Sequence, residues 1–261
     1  MRYIRKFSNI NSYESYKRLL DDTDTPNISL CDTDDEVYQT PKIIPLVFNE
    51  HNYVEISGLK WATMNIGATK PSDPGLFFQW ADIQGYTADQ CGNEDGKKYF
   101  GFDDYKFVDT LNSEDIDAST TKKYNDDDEL VTIQSEDDAA TVNWGGTWRI
   151  PTRNDYKNLL NATHTEWIYN YKDTGISGIL LIDREDETKH IFFPNYGFLN
   201  DGIHKDITNG YYWTNSRHGI LCADYFSIVE HDYDYPDYHF IDIDEYGWES
   251  PAGMLIRPVS N

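Results

Sequence analysis

The stretch WGGTWRIPT, residues 144–152, places two tryptophans around a Gly-Gly pair and ends in Pro-Thr. The glycines permit positive φ, so the chain can turn tightly between Trp144 on a helix and Trp148 on a strand. Pro151 then ends the strand, and Thr152 begins the next helix. The stretch therefore predicts a helix-turn-strand-helix junction whose tryptophans fill the core, which is a packing role and not a catalytic one.

Two helices are predicted to flank this junction. SEDDAATVNW, residues 135–144, predicts an acidic helix with Ser135 as its N-cap. Downstream, Thr152 and Asp155 form a variant capping box that predicts a second helix. The buried face of that helix is expected to carry Tyr156, Leu159 and Leu160. From Leu46 onward the rest of the sequence predicts short strands and many turns, so the predicted fold class is α+β.

The composition predicts a folded protein with a strongly acidic surface. Hydrophobic residues make up 39% of the 261 residues and aromatic residues 15%, enough to fill a core. Asp and Glu total 46 against 22 for Lys and Arg, which gives a formal net charge of −24. Such a surface repels phosphate groups, so we expect no nucleic-acid partner and no membrane insertion, whereas divalent cations and basic proteins remain candidate partners.

Residues 1–45 form a segment of their own. RKFSNINSYESYKRLL predicts a short helix, TPNISLC and DEVYQT predict two short strands, and PKIIP predicts a linker that leads into residues 46–261. The first twenty residues carry no apolar export signal. The cysteines, Cys31, Cys91 and Cys222, are odd in number and far apart, which is typical of a protein made in a reducing compartment. We therefore expect synthesis in a cytoplasm without export.

Several motifs, in order along residues 46–261, carry a resemblance. LKWATMNIGATKPSDPGLFFQW, EDDAATVNWGGTWRIPTRNDYKNLL, IFFPNYGF, GYYWTNS and LIRPV resemble the Fibrobacter succinogenes major paralogous domain. That family is similar to the formylglycine-generating-enzyme branch of the C-type-lectin-like fold, in which an R-L/I-P-T junction is typical, here Arg149 to Thr152. The resemblance implies a C-type-lectin-like domain with small twisted antiparallel sheets, few helices and long loops.

The first forty residues carry a second, shorter resemblance. RKF, TPNISL and DEVYQTP are similar to N-terminal segments of virion proteins from phages that infect Bacteroides-type hosts. Together the two resemblances imply a phage virion protein, such as a head fibre, a decoration protein or a tail-associated protein. Residues 1–45 would attach it to other virion proteins, and the protein would form a homo-oligomer. The leading alternative is a bacterial cell-surface or secreted binding protein of the same family.

An oxidase of the formylglycine-generating type is a more distant alternative. Such an enzyme needs a reactive cysteine pair in the C-terminal part of the domain, where only Cys222 is present. We expect Cys222, within LCADYF, to be a buried free cysteine. The sequence also contains no GxSxG, Walker, HExxH or CxxC motif. The predicted function is therefore binding without catalysis.

Calcium is the one cofactor that the sequence leads us to consider, and its ligands remain unassigned. DIDEYGW places Asp242, Asp244, Tyr246 and Gly247 at the first positions of an EF-hand loop, but Gly253 stands where a bidentate Glu is required. Other oxygen-rich runs are residues 125–129 and 136–138. Consecutive acids point in different directions and usually form a solvated face. Residues 109–124 and 125–129 are accordingly predicted to be exposed loops.

A ligand site is predicted in HDYDYPDYHF, residues 231–240. Tyrosines alternate there with carboxylates, a combination that suits sugar stacking with hydroxyl hydrogen bonds and equally suits a protein interface. The predicted ligand-binding residues are Tyr233, Asp234, Tyr235, Asp237, Tyr238 and Trp248. The calcium motifs of sugar-binding lectins are missing; the nearest sequence is Trp213-Thr214-Asn215. The expected ligand is a host surface glycan or receptor, and the alternative is a hairpin loop with solvated acids and half-buried tyrosines.

Overall fold

The computed structural model describes residues 46–109, 120–230, 240–243 and 247–261. The predicted attachment segment, residues 1–45, and the Tyr-Asp stretch up to residue 239 lie outside the described residues. The protein is built from small antiparallel sheets with few helices, 37% strand and 13% helix, as the α+β prediction required.

Thirteen strands and two α-helices are described. The strands are β1 (Leu46–Phe48), β2 (His51–Ile56), β3 (Leu59–Ala62), β4 (Thr163–Ile168), β5 (Gly178–Asp183), β6 (His190–Pro194), β7 (Phe198–Asn200), β8 (Ile203–Lys205), β9 (Gly210–Arg217), β10 (Cys222–Val229), β11 (Phe240–Ile243), β12 (Trp248–Glu249) and β13 (Val259–Ser260). The helices are α1 (Ala139–Trp144) and α2 (Arg153–Ala162). They lie on either side of the WGGTWRIPT junction.

The strands form four sheets. The first has the order β1-β2-β3-β13, the second has β4-β5-β6, and the third is the β7-β8 pair. In the fourth, β9 pairs with one edge of β10, and β11 and β12 pair in succession with its other edge. Because β10 has partners on both sides, it is the central strand of the largest aromatic-rich sheet.

The C-terminal segment ties these sheets together. Residues 250–260 are all buried, and isolated bridges join Met254 to Phe78, Leu255 to Tyr212 and Val259 to Arg149. Burial of this apolar segment between sheets removes its side chains from water, which is the main favourable term in folding. The LIRPV motif is therefore a structural element of the core.

The predicted junction is present, with corrections. Gly145 and Gly146 have φ values of 69° and 62°, and α2 begins with the predicted capping box. The predicted N-cap of the first helix is wrong, because α1 begins three residues later, where the Asp138 carboxylate accepts hydrogen bonds from Ala140 and Thr141. Tyr156, Leu159 and Leu160 are buried as predicted.

The two tryptophans of the junction differ in environment. Trp148 is fully buried, whereas Trp144 is only half-buried, so the prediction that both fill the core holds for Trp148 alone. The predicted strand is reduced to a single bridge between Arg149 and Val259. Trp213, the third tryptophan expected inside, is buried and donates from Nε1 to the Phe78 carbonyl at 2.7 Å.

Candidate functional site

The predicted ligand-binding residues attach at opposite ends of β10. Val229 pairs with Phe240, so the described residues that flank the stretch containing Tyr233, Asp234, Tyr235, Asp237 and Tyr238 lie at the Val229 end. Trp248 pairs with Ala223 near the start of the strand. Ala223 and Val229 are six residue steps apart, which is about 20 Å along a strand. The five predicted residues of the loop themselves lie outside the described part of the chain.

Tyr169 is an exposed aromatic residue at the Val229 end that the sequence reasoning missed. It follows β4, its exposed fraction is 61%, and its ring lies 6.3 Å from the buried Trp167 ring. Burial of part of the phenol and the nearby Glu230 carboxylate raise the pKa of Tyr169. Glu230 directly precedes the Tyr-Asp stretch, so the carboxylate that acts electrostatically on the Tyr169 phenol lies where that stretch begins. The signal in the sequence was TEWIYNY, in which Trp167 and Tyr169 straddle a strand end.

Hydrogen bonds fix the backbone around Glu230. The Glu230 N–H donates to Asn209 Oδ1 at 2.9 Å, and Asn209 also approaches the Tyr211 hydroxyl. That hydroxyl donates to Asp206 at 3.2 Å. Burial, together with Asp206, raises the pKa of Tyr211 to about 12. The hydroxyl therefore stays protonated and keeps holding the turn against the end of β10.

Trp248 occupies a packing position at the other end of the strand. Its ring lies 5.0 Å from the Phe198 ring and 6.2 Å from the Tyr225 ring, both edge-to-face. The side chain is half-buried, and its Nε1 is buried without a hydrogen-bond partner among the described residues. These contacts place Trp248 at the edge of the core. Its role in ligand binding stays a prediction.

A shallow cleft that is open to solvent lies near the start of β10. Its walls include Trp80, Tyr105, Lys123, Tyr124, Arg217 and Cys222. Both cations are already paired: Lys123 with Glu136 and Asp137, and Arg217 with Asp126 and the Tyr124 carbonyl. The cleft therefore combines aromatic walls with cations that internal acids neutralise, and it presents no unpaired charge to an anion.

Asp137 organises the wall of this cleft. It accepts hydrogen bonds from Lys106, Lys123 and the Tyr124 hydroxyl at 2.9, 2.6 and 2.8 Å. Burial alone would raise the pKa of the Asp137 carboxyl, but these donors outweigh burial and hold the pKa below its ordinary value. Tyr124 is itself buried against the Trp80 and Phe107 rings. The predicted exposed loop over residues 109–124 is therefore wrong at its C-terminal end, because a hydrogen-bonded tyrosine anchors that end in the core.

The two described cysteines are free thiols. Cys222 is free as predicted, but it is half-buried where the prediction was buried, because its strand begins at the cleft and not inside the core. Burial and the Glu249 carboxylate raise the pKa of Cys222, and burial and Asp104 do the same for Cys91. A raised pKa keeps a thiol protonated and lowers its nucleophilicity.

His218 and Asp224 form a hydrogen-bonded pair near the cleft. His218 Nδ1 lies 2.9 Å from Asp224 Oδ1, and Arg153 Nη1 lies 3.8 Å from Asp224 Oδ2. Asp224 is buried, whereas His218 remains partly exposed. Gly247 packs on His218, because a Cβ there would lie 2.6 Å from the His218 Cβ. Both members of the pair belong to the β9-β10 hairpin, and Arg153 in the first turn of α2 joins that hairpin through Asp224, which is a structural role.

The described residues contain no group of three or more His, Cys, Asp or Glu side chains placed to hold a metal ion. Asp242 lies in β11, and Asp244 and Tyr246 lie outside the described ranges. Gly253 is fixed by packing, because a Cβ there would approach the Phe100 ring to 2.4 Å. Calcium binding by the acidic loops stays a prediction.

No protein-family model, no curated protein and no solved structure matches this chain. Within the described ranges no helix has the length and apolar character needed to cross a membrane.

Proposed function

We propose that this chain is a non-enzymatic binding protein of a phage virion. In this proposal residues 46–261 form a C-type-lectin-like domain that binds a host surface glycan, and residues 1–45 attach the chain to other virion proteins. The observation that carries the binding role is the exposed Tyr169, within electrostatic range of Glu230, the residue that follows β10 and precedes the Tyr-Asp stretch.

The chemistry at this end suits a carbohydrate. An exposed phenol ring offers a flat apolar face for the C–H face of a sugar, and a tyrosine loses little conformational entropy when it is immobilised. Glu230 supplies a hydroxyl acceptor, and Asn170, next in sequence to Tyr169, holds its loop through Asp173 and the Gly175 N–H. Tyr233, Tyr235 and Tyr238 lie outside the described residues, and we propose them as further ligand contacts on the strength of their sequence pattern.

The thiols support a role without catalysis. An oxidase of the formylglycine-generating type needs a reactive cysteine pair, whereas burial and nearby carboxylates raise the pKa of both described thiols. A cysteine-containing sulfatase peptide tests this point: we expect no conversion of its cysteine. Conversion would replace the binding proposal with the oxidase alternative.

A glycan array and a host-cell adsorption assay test the binding role. We expect Tyr169→Ala to abolish binding and Tyr169→Phe to retain most of it, because phenylalanine keeps the stacking face. The triple change of Tyr233, Tyr235 and Tyr238 to Ala should also abolish binding while thermal stability stays nearly unchanged. Val131→Ala is a matched control, since the exposed fraction of Val131 is 60% and its backbone carbonyl accepts a hydrogen bond from the Arg217 N–H. Unchanged binding in the tyrosine variants would place the ligand site elsewhere.

Particle incorporation tests the virion role separately. Deleting residues 1–40 should leave residues 46–261 folded but remove the protein from purified particles. Incorporation at the normal level would refute attachment through this segment. Capsid and portal genes beside the coding sequence would favour the phage origin over a bacterial surface protein.

A further inference from the structure

We propose that Lys98 and Gln79 form an intramolecular isopeptide bond, in which the Lys98 amine replaces the amide nitrogen of Gln79 and ammonia is released. The Asp104 carboxylate carries protons between the two nitrogens. The inference goes beyond the proposed function, because it concerns a covalent modification inside the domain and takes nothing from the glycan site or from the virion.

Gln79, Lys98 and Asp104 are in mutual contact inside the fold. Lys98 Nζ donates to Gln79 Oε1 at 2.8 Å and lies 3.3 Å from Asp104 Oδ2. Gln79 Nε2 donates to Asp104 Oδ1 at 2.9 Å. The exposed fraction is 1% for Gln79 and 10% for the Lys98 side chain. An amine, a carboxamide and a carboxylate therefore meet where water has little access.

Hydrogen bonds fix the orientation of the Gln79 amide. Its Nε2 also donates to the Gly101 carbonyl at 3.4 Å, so both amide hydrogens have acceptors and the amide oxygen faces Lys98. The amide carbon is one C=O bond, about 1.2 Å, beyond that oxygen, so it lies at most about 4 Å from Lys98 Nζ. A small displacement brings the two atoms to the roughly 3–3.5 Å of a near-attack arrangement.

Asp104 is held so that each carboxylate oxygen faces one of the two nitrogens. Oδ2 accepts from the N–H groups of Tyr99 and Phe100 at 2.9 and 3.1 Å, and Oδ1 accepts from the Gly101 N–H at 3.1 Å. Lys98 Nζ also donates to the main-chain carbonyl of Asp104 at 3.0 Å. A fixed carboxylate that contacts both the attacking and the leaving nitrogen can take a proton from the first and give it to the second.

Aromatic rings surround the Lys98 amine. Nζ lies 5.4 Å from the centroid of the Tyr86 ring and 5.7 Å from that of the Phe100 ring, and Phe100 is fully buried. Apolar surroundings penalise charged groups, so they lower the cost of the proton transfer that converts an ammonium and a carboxylate into an amine and a carboxylic acid. They also exclude the water that would otherwise hydrolyse the amide.

The reaction balances without an oxidant or any other reactant. Asp104 takes one proton from the Lys98 ammonium, and the resulting amine attacks Gln79 Cδ and forms the new C–N bond. Asp104 passes that proton to the Gln79 nitrogen, the Cδ–Nε2 bond breaks and ammonia leaves. The new amide nitrogen loses its extra proton through Asp104 to the ammonia, which departs as ammonium, and Asp104 is again a carboxylate.

Lys106 and Lys123 show why a lysine beside an acid is not sufficient. Both donate to Asp137, at 2.9 and 2.6 Å, and the pKa of the Asp137 carboxyl is held below its ordinary value by these donors. An ionised carboxylate resists attack by an amine, because its carbon already carries the negative charge that the attack would add to. The carboxamide of Gln79 is neutral and can be attacked.

Intact-mass measurement of the purified full-length protein, followed by tryptic peptide mapping, tests the proposal. We expect a mass below that of the sequence by the mass of one ammonia molecule. Trypsin should not cut after Lys98, and it should release residues 61–97 and 98–106 as one species linked between Gln79 and Lys98.

Two variants remove the chemistry by different routes. Lys98→Arg keeps the positive charge but has no nucleophilic amine, and Asp104→Asn has no carboxylate to accept a proton. Both variants should lose the link and have the full mass of their sequences. Lys97→Arg is the matched control, because Lys97 is exposed and its Nζ donates to the Asp89 carbonyl instead. The control should keep the linked species.

Near-UV circular dichroism checks that each variant is folded, and the unaltered protein decides the question where a variant is not. The full sequence mass in the folded unaltered protein overturns the proposal, as does a loss of ammonia without the link between Gln79 and Lys98. A link that persists in Asp104→Asn overturns the role of Asp104 as proton carrier. Glycan binding enters none of these measurements, so their outcome is independent of the proposed function.

Discussion

His51 and Trp144 stack face to face, with their ring centroids 3.6 Å apart and their planes 8° from parallel. Trp148 meets the Trp144 ring edge-on at 5.3 Å and the His51 ring edge-on at 6.3 Å. The tryptophans on either side of the Gly-Gly pair therefore belong to one aromatic cluster with two functions. Trp148 fills the core, and Trp144 holds the β1-β2 hairpin against α1.

Truncation of the two tryptophans should have unequal effects on stability. Trp148→Ala removes a fully buried indole, and we expect the free energy of unfolding to fall by about 3–5 kcal/mol. Trp144→Ala removes a half-buried ring, so its cost should be clearly smaller. Urea unfolding followed by far-UV circular dichroism measures both values. Equal losses would mean that the cluster does not divide into a buried and a peripheral member.

The junction illustrates which parts of the fold the sequence predicts. Turn and cap chemistry is local, so the positive φ of Gly145 and the capping box of Thr152 and Asp155 follow from the residues themselves. The N-cap of α1 was missed because Asp138 is selected by a distant partner: its second carboxylate oxygen accepts a hydrogen bond from the Ile150 N–H at 2.9 Å. A long-range contact of this kind has no signature in the acidic run that contains it.

In the candidate site, too, local sequence patterns are predictable whereas long-range contacts are not. A Tyr-Asp alternation is visible in the sequence, but the strand register decides that Trp248 and residues 231–239 attach at opposite ends of β10. Exposure of Tyr169 depends on where β4 ends, and the electrostatic effect of Glu230 on Tyr169 depends on the tertiary fold; periodicity alone gives neither. The burial of Tyr124 likewise depends on Asp137, thirteen residues away.

Gly178 lies where strands β5 and β6 approach each other closely. A Cβ at this position would lie 2.2 Å from the Phe193 carbonyl oxygen, which is backbone and unable to move aside cheaply. We expect Gly178→Ala to cost at least 2 kcal/mol, roughly the scale of overpacking in a core. Gly92→Ala is the matched control, because the Cβ there would meet only the flexible Lys97 side chain at 3.2 Å. Thermal unfolding of the two variants should separate them, and similar melting temperatures would contradict the strand spacing.

Arg257, the arginine of the LIRPV motif, is fully buried. Its guanidinium donates to Asn65 Oδ1 at 2.8 Å and to the carbonyls of Ala62 and Phe192 at 3.1 and 3.0 Å. It also lies over the Phe193 ring, 4.7 Å from the centroid. The planar fork thus joins three separate chain segments and offsets much of the cost of burying a charge.

Arg257→Lys should therefore be strongly destabilising although it keeps the charge. A lysine ammonium lacks the fork geometry that reaches three acceptors, so buried acceptors are left unpaired at about 1–3 kcal/mol each. Arg149→Lys is the control, because Arg149 is partly exposed and pairs with Asp155 at 2.7 Å, a contact that lysine can partly replace. Guanidinium unfolding measures the two losses. If Arg257→Lys lowers the free energy of unfolding no more than Arg149→Lys does, the Arg257 guanidinium does not link the three segments as described.

Asp137 should contribute to the pH dependence of stability. Its pKa in the folded protein is below the ordinary value of 3.8, because the donors Lys123, Lys106 and Tyr124 outweigh burial. A depressed carboxyl pKa means that the unfolded chain binds the proton more readily, so stability falls as the pH falls. The contribution of Asp137 is complete above about pH 5 and is lost as the pH drops through the folded-state pKa.

Asp137→Asn should therefore lower stability at neutral pH and make the acid decline of stability shallower than in the unaltered protein. Asp127→Asn is the control, since Asp127 is an exposed member of the same acidic region and should leave the pH profile unchanged. Urea midpoints measured from pH 7 to pH 3 give the three profiles. Parallel profiles for Asp137→Asn and the unaltered protein would show that the Lys106-Lys123-Tyr124 network does not hold the carboxylate in its ionised form.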